Sequence, residues 1–235
     1  MLAIYKRELR SYFVGVIGYV FLVIYLTIAG ILFSYTTMFS MSANVTNYFT
    51  LMLIFSAIAL PLLTMKSFSE ERKTKTEQLI LTAPVSLPAM VLGKFLASYT
   101  VFSGATALTS LYFLFLVPYA KLKFAVLFGN LIAMLLVGMV FIAIGIFVSA
   151  LTENQLSTAI GTIAIILAFL GIGLINSLIP TSYAIRFVFD ALSIFTRFQS
   201  FVNGYFELAS VIYYLSMSAI FLWLTIRVYD RRRFG

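Results

Sequence analysis

The chain has 235 residues, none of them cysteine or histidine. Those two absences remove disulfides, thiolate nucleophiles, imidazole bases and every zinc or haem site built on such ligands. Charge is scarce too, at 10% of residues, and there are only five prolines and one tryptophan. Apolar residues make up 62% of the chain, and mean hydropathy is +1.06. Too little polar surface is left to cover a water-soluble globule, so the composition implies an integral membrane protein. The net charge of +8 would suggest nucleic acid in a soluble protein. Here the cations border apolar runs, where Lys and Arg report orientation instead.

A helix needs about 20 apolar residues to cross the hydrocarbon of a bilayer, so charge-free runs locate the spans. No charge occurs between Arg10 and Lys66, which leaves room for two crossings, and the polar stretch SYTTMFSMSANVTN (34–47) reads as the loop between them. This predicts spans one and two near 14–35 and 47–65. A third covers about 90–117, ended by Pro118 and the pair Lys121 and Lys123, and a fourth runs from about 124 to 150. TENQ (152–155) is a tight polar turn into a fifth span near 156–176, which closes on NSLIPTS with Pro180 as breaker. A sixth occupies about 209–227. The expected fold is therefore all-α with six transmembrane helices in a single domain, 1–235. Gly138, Gly145, Gly161, Gly171 and Gly173 permit close helix approach within it.

Six spans put both termini on one side. That side carries Lys6, Arg7, Arg10, Lys66, Arg72, Lys73, Lys75, Lys94, Arg227, Arg231, Arg232 and Arg233, against Lys121, Lys123, Arg186 and Arg197 on the other. The positive-inside rule makes the richer side cytoplasmic. The start MLAIYKRELR resembles the basic region of a signal peptide, but the apolar run after it is too long and lacks a small-x-small cleavage site, so retention as an anchor is expected. Within 1–13, Leu2, Tyr5, Leu9, Tyr12 and Phe13 recur at helical spacing, with Lys6, Arg7 and Arg10 on the other side. That predicts an amphipathic interfacial helix, serving either as a lipid anchor or as a docking surface.

The densest charge lies in SFSEERKTKTEQLILTAPVS (67–86), between spans two and three. Ser67 with Glu70 is a capping-box pattern, Glu71 and Lys75 form an i, i+4 pair, and Pro84 ends the helical stretch. Ser86 and Pro88 then suit the start of another helix. The stretch reads either as a rigid charged elbow or as a solvated loop whose lysines set topology. Farther on, 180–207 is too apolar for a free loop and too interrupted by Arg186, Asp190, Arg197 and Glu207 for a span. A re-entrant element before the last span fits it, packed against protein so that its backbone is satisfied. Phe195, Phe198, Phe201 and Tyr205 recur at roughly helical spacing there. Such a stripe serves packing more often than substrate contact.

Three segments resemble one family. TMKSFSEERKTKTEQLILTAPVSLPAMVLGKFL (64–96) is similar to the signature loop of type-2 ABC-exporter permeases, with its acidic-basic run, Thr-x-Glu-x-Leu, Pro and Gly-Lys in that order. The tail 192–234 resembles the end of the same family, in the branch that includes gliding-motility and copper-maturation permeases. The opening YKRELRSYF and IGYVF add to the match. One departure is Lys75, where relatives often carry Gly, which implies a less interrupted helix here.

The resemblance implies the permease subunit of an ABC exporter in the cytoplasmic membrane of a prokaryotic cell, dimeric with a second copy or a sister permease. It implies a separate ABC-type ATPase in two copies, with ATP and Mg bound by that partner and no cofactor in this chain. Residues 67–83 would be the coupling helix, with Glu70, Glu71, Arg72, Lys73, Thr76 and Glu77 as ATPase contacts. The N-terminal helix, with Lys6, Arg7 and Arg10, would be a second docking element, and Phe195, Phe198, Phe201 and Tyr205 an extracellular gate. The residues agree in one respect: no G-x-x-x-x-G-K-[ST] is present, because Phe95 follows Gly93 and Lys94 and no glycine stands five residues before Gly93. Two other classes compete. An ion-coupled carrier or channel calls for ionisable groups within spans, whereas the charges here cluster at span ends. An intramembrane enzyme calls for nucleophiles, bases or paired carboxylates at mid-membrane, and His and Cys are missing.

Overall fold

The computed structural model describes residues 1–40, 45–77, 86–116, 124–178 and 193–234, without the side chains of 174–178 and 234. Lys121, Lys123, Pro118, Pro180, residues 78–83 of the expected coupling helix and 180–192 of the expected re-entrant element lie outside the described residues. Within them the chain is almost wholly helical, with no strand. The helices are α1 (Leu2–Val14), α2 (Val16–Phe33), α3 (Thr46–Thr64), α4 (Ser69–Lys73), α5 (Leu87–Ser110), α6 (Phe124–Leu151), α7 (Gln155–Leu178), α8 (Ile194–Val202) and α9 (Leu208–Phe234). Six stretches are long and apolar enough to cross a membrane: Val16–Phe39, Thr46–Lys73, Leu87–Leu116, Phe124–Leu151, Gln155–Gly173 and Leu208–Arg233. All six expected spans are present.

Helix α6 is the centre of the bundle. Its most apolar stretch is 67% buried by protein, against 28% for the corresponding stretches of the first, fifth and sixth spans, and it packs on α3, α5, α7, α8 and α9. Two glycines bring the neighbours in: a Cβ on Gly138 would collide with the Phe102 ring of α5, and one on Gly145 with Thr64 of α3. Close backbone approach of this kind replaces the hydrophobic drive that lipid cannot supply between helices. The outer helices turn apolar side chains outward, among them Val20, Val23 and Ile24 on α2 and Ile212, Leu215 and Trp223 on α9. That is the surface a lipid environment solvates.

The polar stretch 34–39 differs from the expected loop. It continues the first span as a π-helix, Ser34–Phe39. The Ser34 hydroxyl donates to the Gly30 carbonyl at 2.9 Å and the Thr36 hydroxyl to the Leu32 carbonyl at 2.7 Å. Hydroxyls that bond back one turn satisfy themselves within the helix and loosen its pitch, so polarity here marks a widened turn and not an exit. At this end of the bundle Phe113 is buried against Phe33, Tyr48 and Phe49, with ring centroids 5.3, 5.1 and 5.7 Å away.

The element before the last span is visible as α8. Ser193 caps it, accepting the Thr196 N–H at 3.1 Å. Phe198 and Phe201 face the core and Phe195 is partly buried against it. Tyr205 is not on that stripe. The helix ends at Val202, Gly204 turns the chain at φ +86°, and Tyr205 is 70% exposed beyond the turn.

Candidate functional site

At the end of the bundle that holds both described termini, the charged segment after α3 is bonded into the protein along one face. Lys94 of α5 is the hub. Its side chain is 2% exposed, and an ammonium has three donors, each of which must find an acceptor at that burial. Two hydrogen bonds run to the Ser67 carbonyl at 2.6 Å and to a Glu71 carboxylate oxygen at 2.8 Å, and a Glu8 carboxylate oxygen forms an ion pair at 3.3 Å. The Phe68 ring lies 4.9 Å from the same nitrogen. Glu71 belongs to α4 and Glu8 to α1, so one buried cation ties two elements to a span. A charge so placed is tolerated because it is paired with two carboxylates and hydrogen-bonded.

The other anchors come from α6 and α9. The Ser149 hydroxyl accepts the N–H groups of Phe68 and Ser69, at 2.9 and 3.0 Å. Those amides open α4 and have no partner within it, so a side chain 80 residues away in sequence supplies the cap. Arg72 donates to the Leu151 carbonyl at 2.8 Å and pairs with Glu153 at 3.0 Å. Arg232 donates to the Ala150 carbonyl at 2.7 Å and to Glu77 at 3.0 Å. Both arginines thus satisfy the free carbonyls at the C-terminal end of α6, where the helix dipole favours cations. Tyr229 of α9 closes the site, its ring 4.8 Å from that of Phe68.

Helix α1 lies against α5. Gly93 leaves the space that Ile4 fills, Tyr12 pairs with the Ser98 hydroxyl at 2.8 Å and donates to the Leu63 carbonyl at 3.2 Å. Burial pushes the Tyr12 phenol up to about 12, so it stays protonated. Arg7 holds Glu8 at 2.7 Å and reaches Glu71 at 3.4 Å. The hydrogen bond to Glu8 raises the Arg7 guanidinium above its ordinary value, against a smaller pull from burial. Between α1 and the charged segment lies a cleft of about 520 Å³, with Arg7, Glu8, Lys66, Glu70, Glu71 and Lys94 among its walls.

The six residues expected at this segment divide into two sets. Lys73 and Thr76 face outward, and Glu70, partly exposed, pairs with Lys66 at 3.3 Å. Glu71, Arg72 and Glu77 turn inward to the partners just named. On α1, Lys6, Arg7 and Arg10 are exposed, as the periodicity implied, but so are Leu2 and Phe13 from the expected apolar side.

Three local expectations are corrected. The capping box between Ser67 and Glu70 does not form: Phe68 is the N-cap and no side chain of the segment caps the helix, because Ser149 does so. Glu71 pairs with Lys94 and not with Lys75, since a buried ammonium offers far more than an exposed lysine. The helix is not less interrupted at Lys75. That residue takes φ +58°, the left-handed conformation that glycine adopts freely, and the described helix ends at Lys73.

The sequence alone gives Lys94 and Arg232 only as orientation signals, and it assigns no role to Glu8 or Ser149. The Gly-Lys pair at the head of span three was the one available clue, since Gly93 admits α1 where Lys94 meets it.

No curated protein matches the chain. A family model does, that of the ABC-2 family transporter proteins, and it covers residues 32–233, from the end of α2 through α9. With six apolar helices and a match over most of its length, the chain belongs to the ABC-2 family, as a type-2 ABC-transporter permease.

Proposed function

We propose that this permease is the membrane subunit of an ABC exporter, driven by a separate ATPase that docks on the charged segment and α1. A permease of this family works with an ABC ATPase, and the observation that carries the docking site is the two-faced segment 66–77. Lys73 and Thr76 are exposed and Glu70 is partly so, within reach of a partner, while Glu71, Arg72 and Glu77 hold the same backbone to α1, α5, α6 and α9. A lever needs both faces: one to receive the stroke, one to pass it on.

In this reading the end with both termini is cytoplasmic, which the distribution of Lys and Arg supports. Lys6, Arg7 and Arg10 extend the docking surface. Two ATPases bind ATP and Mg and act on two permeases, this chain paired with a second copy or a sister chain. Helix α8, with Phe195, Phe198 and Phe201, and Tyr205 beyond it, gates the far end of the pathway. The membrane is the cytoplasmic membrane of a prokaryotic cell, and the similarity of the tail 192–234 supports the gliding-motility and copper-maturation branch.

The test is purification of the chain in mild detergent from its own cells. An ATPase with a phosphate-binding loop should accompany it in near-equal amount. Reversing the outward charges, Glu70→Lys with Lys73→Glu, should cut the recovered ATPase roughly tenfold, about 1.4 kcal/mol of docking energy. Recovery of the permease without any ATPase would sink the reading.

A further inference from the structure

Lys94 is spent entirely on tying parts of the molecule together. It sits in span three, its acceptors belong to α1, α4 and the turn at Ser67, and it is nearly sealed from water. An orientation signal would be exposed, and a docking residue would keep a donor for the partner. Lys94 does neither. Topology offers the other half of the argument: the two elements a partner can reach, α1 and α4, share no backbone with α5, and their carboxylates Glu8 and Glu71 converge on one ammonium. Without that nitrogen, the charged contact left between α1 and α4 among the described residues is that of Arg7, 56% exposed at its side chain and 3.4 Å from Glu71.

We propose that Lys94 is a positioning residue for energy transfer: it clamps α1 and α4 to α5 so that both reachable elements and the spans move as one body. This rests on the exporter reading above and deepens it, because it identifies the one joint that both reachable elements share, beside the separate anchors of the segment at Ser149, Arg72 and Arg232. A rigid attachment transmits displacement, whereas a compliant one lets the docking surface move alone.

The chain has no cysteine, so spin labels go only where cysteines are introduced. Thr74→Cys marks the end of α4, Ala3→Cys marks α1, and Phe39→Cys, at a position 82% exposed, marks the far end of the first span. Distances are measured in the permease–ATPase complex, diluted with unlabelled permease, without nucleotide and with ATP under conditions that block hydrolysis. In the parent protein the distances from 74 to 39 and from 3 to 74 should each be single and unchanged by nucleotide. Lys94→Met fills the site with an apolar chain of similar length. It should leave the ATPase bound and hydrolysing while the 74 to 39 distance shifts with nucleotide, and Lys94→Arg should abolish that shift. A purely structural role for Lys94 would give no nucleotide-dependent distance.

If Lys94→Met keeps both distances fixed with the ATPase bound, or if the parent itself shows the shift, the clamp is refuted and the exporter reading stands. If the parent binds no ATPase, both fall together. Should Lys94→Met not accumulate as folded protein, Glu8→Gln removes only the α1 arm. A broadened 3 to 74 distance then supports the clamp, and an unchanged one overturns it.

Discussion

The two ends of this bundle are held by different physics. At the end with the termini, charged and polar side chains reach across the fold to single named atoms: Lys94 to Glu8, Glu71 and the Ser67 carbonyl, Ser149 to two amides, Arg72 and Arg232 to the last carbonyls of α6. At the other end rings pack on rings, with Phe113 among Phe33, Tyr48 and Phe49. Ring packing is strong but weakly directional, and it tolerates repacking. Hydrogen bonds to buried groups are individually smaller but angular, and leaving one unmade is costly. The charged end is therefore built to hold a backbone in one orientation, and the aromatic end to hold helices together.

Substitutions can break that comparison or sharpen it. The largest effect is expected at the aromatic end. Phe113→Ala removes a ring that is 1% exposed and should cost about 3–5 kcal/mol, read as a lower melting temperature in detergent. It should leave amide exchange at residues 68 and 69 as it was at temperatures below melting. Ser149→Val is the converse case. It strands two amide donors and should cost about 2 kcal/mol, with faster exchange of the Phe68 and Ser69 amides as its signature. If the two variants gave the same exchange pattern, the distinction between the ends would fail. The smallest effect belongs to Lys75→Gly. Relief of the left-handed backbone is offset by the greater freedom glycine has when unfolded, so the net gain should be at most about 1 kcal/mol. A lower melting temperature would mean that the Lys75 side chain contributes something its exposed position does not reveal.

Much of the fold was legible in the chain because membrane insertion is governed by local quantities. Runs free of charge marked all six spans, and TENQ correctly separated the fourth from the fifth, with Asn154 accepting the Leu156 N–H at 3.0 Å to start α7. Local reasoning misled where a distant partner intervened. Ser67, Glu70, Glu71 and Lys75 have the spacing of a self-sufficient helix, yet the segment takes its cap from α6 and its ion pair from α5. The hydroxyls of 34–39 looked like a loop because polarity was counted without asking where each donor could bond. Tyr205 fitted a helical stripe by number alone, although Gly204 had already turned the chain.

Composition and spacing settled the membrane environment, the number of spans and the absence of a phosphate-binding loop, since each depends on residues near one another along the chain. Only the tertiary structure decided which faces of the charged segment look outward. Glu71 and Glu70 are neighbours in sequence, equal in chemistry and opposite in placement, because the buried ammonium that selects Glu71 arrives from Lys94, 23 residues on, beside a helix end 80 residues away. Whether a charge serves as a surface or as a joint depends on burial, and burial is a property of the packed bundle that no local stretch of sequence carries.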